Sequence, residues 1–257
     1  MPMSDEQRAQ SRTRILHAPT VLDAVVPIYR IPCVSGEVRF TADALAGIFL
    51  GKITTWNDAA IASVNPGLNL PDQPIVVVHR SDGSSLTFIF TDYLSKVSRE
   101  WRDNVGKGTA VKWPVGLGGK GDEGVAGSVQ QIDGAVGYVD LRYAQNNLLF
   151  GRVRNSAGRF LKANLDNVTA AAASVREIPT DFRISITNAP GKDSYAIASF
   201  TWLLIPQDPK DPEKSRVMFA FLRWMINHGE MKTRRIGYAP LPANVTRELR
   251  QRIAQAR

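Results

Sequence analysis

An α/β fold is predicted by three features of the sequence. Strand-length apolar runs alternate with longer stretches whose apolar residues recur every three or four positions, the pattern of helices layered on a sheet. The helical stretches carry recognisable caps and stops. At 257 residues, 44% hydrophobic and 22% charged, the chain can bury a core as one large domain or two of ordinary size, without metals or crosslinks.

Taken in order, residues 21–30 form the first β-rich stretch. Thr41 is the N-cap of a helix over 42–50 that Gly51 stops. A loop at 65–72 leads into an apolar strand at 75–78, then the polar loop 79–85. The following helix carries Leu86, Ile89, Phe90, Tyr93, Leu94 and Val97 on one face. Residues 115–124 read as a glycine-rich turn, followed by a helix with Val125, Val129 and Ile132 on one stripe and a strand at 135–139. Residues 151–192 are polar, with scattered Gly and Pro, and show no period that places an element. A buried strand is expected at 198–205. Asp211, Pro212 and Glu213 open a helix expected to bury Val217, Phe221, Leu222 and Met225 and to end at Gly229. A last helix begins near Asn244, with Val245, Leu249 and Ile253 one turn apart. There is no repeat or low-complexity linker.

The longest apolar runs, such as 200–205, fall far short of the roughly 20 residues that span a bilayer. Residues 1–8 hold no apolar run and are not a secretory signal, so the sequence taken literally implies a cytoplasmic chain. The lone Cys33 excludes an internal disulfide. The net charge of +8 attracts anions generally. Part of that excess is local: Lys232, Arg234, Arg235, Arg247, Arg250, Arg252 and Arg257 face Glu248 alone. This reads as a solvated helix face, with nucleic acid or an acidic partner surface as the alternative; no zinc-finger spacing or RNA-binding aromatic signature accompanies it.

The stretch from His79 to Ser85 reads as one wall of an oxyanion site. Strand, short polar loop and helix in succession leave unpaired backbone N–H groups at the positive end of a helix dipole. Ser84 and Ser85 fall at the N-cap and first turn, and Gly83 allows close approach or a positive φ. Arg80 offers a planar fork of donors matched to a tetrahedral oxyanion. Asp82 is suited to accept from Arg80 and fix the guanidinium, and repels an anion itself. The alternative is an ordinary capped turn with a surface Arg–Asp pair, contributing about 0–1 kcal/mol. The glycine-rich segment lacks the Gly-Lys-Ser/Thr ending of a P-loop and the GxGxxG register. A nucleophilic role for Ser84 finds little support, because His79 need not reach it and His17 and His228 have no triad or metal-ligand spacing. No catalytic residue, metal or cofactor is expected.

Several motifs carry a family resemblance. They are Arg80-Ser81-Asp82-Gly83-Ser84; residues 41–71 with Phe49 to Ile53 and Trp56-Asn57-Asp58; residues 111–121; and Gly134 to Tyr138. Together they resemble the periplasmic phosphate-binding proteins (PstS-type) of bacterial ABC phosphate-uptake systems, in collinear order from about Pro2 to the C-terminus. The resemblance implies a two-lobe α/β fold of the type II periplasmic-binding-protein kind, with phosphate clamped in the cleft. It implies Arg80, Ser84 and Ser85 as phosphate ligands, with Asp82 and Gly83 in support. It also implies ABC permease subunits as partners, no nucleic acid, a monomer and a periplasmic location.

The sequence departs from the family pattern in two places. Ser85 and Leu86 stand where relatives carry Gly and Thr, and a lost side-chain bond to a charged ligand costs about 1.5–3 kcal/mol. The segment that follows the first lobe's Asp in relatives appears here as residues 1–6. The resemblance therefore implies an incomplete first lobe, comprising 1–28 and 198–257, and a complete second lobe at 29–197. Strands would cross near 27–30 and 196–200, exposed edges and apolar surface would mark lobe one, and phosphate affinity would be weakened. A fragment without retained binding is the alternative.

Overall fold

The computed structural model describes residues 1–32, 34–145, 148–207 and 211–255, so Cys33 and Arg257 lie outside the described residues. The first half of the chain comprises α1 (Asp5–Gln10), β1 (Ile15–Tyr29), β2 (Arg39–Phe40), α2 (Ala42–Phe49), α3 (Ala59–Ala62), β3 (Val76–Arg80), α4 (Ser85–Val97), α5 (Arg99–Asn104) and β4 (Leu117–Gly119). There follow α6 (Gly121–Gln131), β5 (Ala135–Asp140), α7 (Leu141–Ala144), β6 (Arg152–Arg154), β7 (Phe160–Leu161), α8 (Leu165–Ala173), β8 (Ala198–Pro206), α9 (Pro212–His228), α10 (Glu230–Arg235) and α11 (Ala243–Gln255).

Five strands form the main sheet in the order β4-β3-β5-β1-β8, and β2, β6 and β7 form a second, small sheet. β3 is parallel to both β4 and β5, whereas β1 runs antiparallel to β5 and to β8. β1 is longer than the 21–30 stretch suggested. Its second half pairs Val25 with Asp140 through Tyr29 with Val136, and its first half pairs with β8. The register with β8 slips between Pro19 and Val21. Proline has no N–H to give a ladder, which accounts for the irregularity there.

Caps set the helix starts that the sequence announced. The Thr41 side chain accepts from the Ala44 N–H, and Asp211 from those of Glu213 and Lys214. The segment at 151–192 is not irregular throughout, because it holds β6, β7 and α8. Asn164 and Asn167 cap α8 reciprocally. The glycine-rich segment is also more than a turn: β4 and the first turn of α6 occupy most of it.

Burial follows two clusters. The larger contains Trp56, Trp101, Phe49, Phe90 and Tyr138 and surrounds the second half of β1. The smaller joins Leu16 and Ala18 of β1 to Ile205, Phe219, Leu222, Leu249, Ile253 and Phe182. Two expectations fail near the smaller core. Thr201, Leu203 and Leu204 of the edge strand β8 are exposed rather than buried. On α9, Val217 and Phe221 are 61% and 55% exposed, and Phe219 and Leu222 are the residues that face inward. The helix carries apolar residues on both faces, so its period cannot say which face packs.

Candidate functional site

The C-terminal ends of three parallel strands meet in one place: Arg80 ends β3, Gly119 ends β4, and Asp140 ends β5. Crevices beyond such ends are where open α/β sheets bind ligands. A Cβ on Gly119 would lie 2.6 Å from the Val125 nitrogen, so its absence lets α6 sit directly on β4. Gly121 turns the chain at φ 69°, and its N–H donates to Asp82 Oδ1 at 3.1 Å. The two loops are thereby tied together.

Arg80 is 11% exposed, and carboxylates take three of its five N–H donors. Nε donates to Asp82 Oδ1 at 2.8 Å, Nη2 to Asp82 Oδ2 at 2.7 Å, and Nη1 to Asp122 Oδ1 at 2.9 Å. The Arg80 bond, helped by the Gly121 amide, holds the Asp82 carboxyl well below the usual carboxylate range. Burial pushes Asp122 up despite the nearby guanidinium.

Ser84 is the N-cap of α4. Its buried hydroxyl accepts from the Leu86 N–H at 3.1 Å, and its own N–H donates to the Thr109 carbonyl at 2.8 Å. Ser85 is exposed, and among the described residues the Ser85 and Thr87 N–H groups meet no protein acceptor. They point from the positive end of the helix. Gly83 does not use the positive φ the sequence allowed; a Cβ there would meet nothing within 4 Å. Beneath the loop, the Tyr138 hydroxyl bonds the Thr87 hydroxyl at 2.7 Å and accepts from the Arg80 N–H at 3.4 Å. Tyr138 stacks on Phe90 at 4.6 Å, and burial pushes its hydroxyl up to about 12.

Arg80, Gly83, Ser84 and Ser85 line a cleft of about 730 Å³. His79 does not, although the sequence placed it on the same wall. Successive residues of β3 face opposite ways, and the His79 ring stacks on Trp113 at 4.8 Å. Ser84 therefore has no histidine beside it in the cleft lining. His17 is buried on β1, and among the described residues no group of three His, Cys, Asp or Glu is arranged to hold a metal ion.

The facing wall went unseen in the sequence. Arg142 bonds Asp140 from its backbone N–H at 2.7 Å and from Nη2 at 3.2 Å, and it stacks 3.9 Å over the Tyr238 ring. Asp23, on β1, lies beside Asp140; burial and that neighbouring carboxyl push it up to about 8. The cleft thus sets two guanidiniums, both already paired, against Asp23, Asp122, Glu123 and Asp140. Asp122 had a signal, an acid in the first turn of a helix leaving a glycine-rich segment. Asp23 had one too, as a lone carboxylate within an apolar strand.

A family model described as a PBP superfamily domain matches residues 1–228. The phosphate-binding protein PstS of Pasteurella multocida is 41% identical over 251 residues, which cover 96% of this chain and 72% of that relative. This chain belongs to the PstS family of the PBP superfamily. The phosphate-binding protein PstS of Xylella fastidiosa strain Temecula1 is 44% identical over 234 residues, 90% of this chain, and the chain spans 64% of that relative's length. Among solved structures, a high-affinity periplasmic phosphate-binding protein bound with phosphate aligns with a TM-score of 0.73 at 20% identity. That alignment covers 98% of this PstS-family chain and 76% of the other. It establishes the shared α/β binding-protein fold, as the sequence motifs implied.

Proposed function

We propose that this chain binds inorganic phosphate as the substrate-binding component of an ABC phosphate-uptake system. The observation that carries the proposal is the Arg80 guanidinium, held rigid by Asp82 on one cleft wall beside the first turn of α4, where among the described residues the Ser85 and Thr87 N–H groups meet no protein acceptor. Arg80, Ser84 and Ser85 are the ligands in this reading; Asp82 orients Arg80, and Gly83 leaves the approach open. Family membership supports it, as do the relatives' names, which are those of binding proteins and not of enzymes. The same membership supports a periplasmic location and membrane permease subunits as partners.

The reading also divides the chain into one lobe of 1–28 with 198–257 and a second of 29–197, crossing at β1 and the start of β8. The smaller apolar cluster supports the first lobe, since all of its buried residues but Phe182 belong there, whereas the larger cluster draws on both, with Leu22, Val25, Phe200 and Val245 among its members. Because the cleft arginines are already paired, affinity for a dianion is expected to be weak. Titration calorimetry with phosphate tests the proposal. Heat from the wild-type chain and none from Arg80→Ala, both folded by circular dichroism, is the expected result. No heat from the folded wild type overturns it.

A further inference from the structure

A second cavity carries the opposite charge balance. It has a volume of about 460 Å³ and lies where α1, the start of β1, the end of β8 and the end of α11 meet. Arg8, Arg14 and Arg252 line it, with Asp181 as the lining's carboxylate. Asp181 is already shared, accepting from Arg8 Nη1 at 2.9 Å and from Arg183 Nε at 2.8 Å. Thr180 and Gln207 add polar lining, and Ile15 and Leu16 supply an apolar side.

Two of the arginines have donors to spare. Among the described residues, Arg14 forms no ion pair. Arg252 Nε forms an ion pair with Glu248 at 3.6 Å but is buried without a hydrogen-bond partner. A buried donor left unmade is unfavourable, and a charged acceptor is the group that corrects it best. In the Arg80 cleft, carboxylates pair both arginines, although Arg142 Nε is likewise buried without a partner.

We infer that this arginine-lined cavity is a second anion site, for a compact molecule bearing two or more phosphate or carboxylate groups. Guanidinium forks match both groups, and several arginines around one space favour a ligand with more than one anionic centre. The volume falls in the range of roughly 300–1,000 Å³ typical of small-molecule sites and exceeds what a bare oxyanion fills. The inference is independent of phosphate binding at Arg80.

Calorimetry with pyrophosphate and with citrate, each at low and moderate salt, separates the possibilities. The Arg80→Ala variant is expected to retain binding of at least one probe, and the preferred probe identifies phosphate or carboxylate as the ligand chemistry. Arg14→Ala and Arg252→Gln are each expected to weaken that binding by about tenfold. Arg247→Ala, on the exposed face of α11, should leave it unchanged. Three results overturn the inference: neither probe binds the folded wild type, binding disappears in Arg80→Ala, or Arg247→Ala weakens binding as much as Arg252→Gln. The last would indicate diffuse attraction to a basic surface.

Discussion

The two halves of β1 are one continuous strand in two very different surroundings. From Val25 to Tyr29 it is buried on both faces, paired with β5, and enclosed by the larger core. From Ile15 to Ala24 it pairs with β8, an edge strand, and Leu16 and Ala18 there pack into a core of far fewer side chains. Outside that smaller core, Phe221, Trp224 and Val217 form an apolar stripe on α9 that faces solvent. A strand's own residues do not determine how firmly it is held; the layers on either side of it do.

That contrast can be broken most sharply in the larger core. Trp56 is fully buried, and its indole N–H donates to the Gly134 carbonyl at 3.0 Å. Trp56→Ala is expected to destabilise by about 3–5 kcal/mol in urea titration. A loss below about 1 kcal/mol would show that the larger core is no more cohesive than the smaller.

Asp92 tests the same core through charge. It is buried on α4, and although burial opposes ionisation, bonds from Lys107, Ser185 and Thr187 lower it to about 2. Asp92→Ala leaves Lys107 and Lys96 without their carboxylate and should cost about 3 kcal/mol at pH 7. The difference should narrow only in strong acid, as the wild-type carboxyl itself takes up a proton.

Asp23 stands where the two halves of β1 join. Its folded carboxyl holds a proton up to about 8, against 3.8 as an ordinary aspartate. Its contribution to stability is therefore complete below about pH 4 and is lost as pH climbs through 8, on the order of a few kcal/mol. Urea midpoints of the wild type should fall from pH 5 to pH 9, and Asp23→Asn should flatten that slope. An equal slope in the variant would place the titration elsewhere.

The smallest effect is expected on α9. Phe221→Ser should change stability by no more than about 0.5 kcal/mol, because the side chain is 55% exposed and already in water. A cost like that of Trp56→Ala would mean that the outer stripe is covered in solution.

Much of this molecule is readable without coordinates because some signals are local. The Thr41 and Asp211 caps, the three-and-four spacing from Leu86 to Val97, and the Arg80–Asp82 pair depend on residues within a turn of one another. α8 is not legible in the same way, although Asn164 and Asn167 hold a capping pattern, because asparagine serves turns as readily as caps. The outward stripe of α9 is not legible in the sequence, because two apolar faces share one period.

By itself the sequence determined the α/β class, the family, the N-cap at Ser84 and the pairing of Arg80 with Asp82. Tertiary structure alone decided that Asp122 closes the third side of Arg80, that Asp23 and Asp140 share a wall with Arg142, and that His79 turns away to Trp113. The physical reason is distance along the chain: Arg80 and Asp122 are separated by 42 residues, and only the parallel pairing of β3 with β4 brings their loops together.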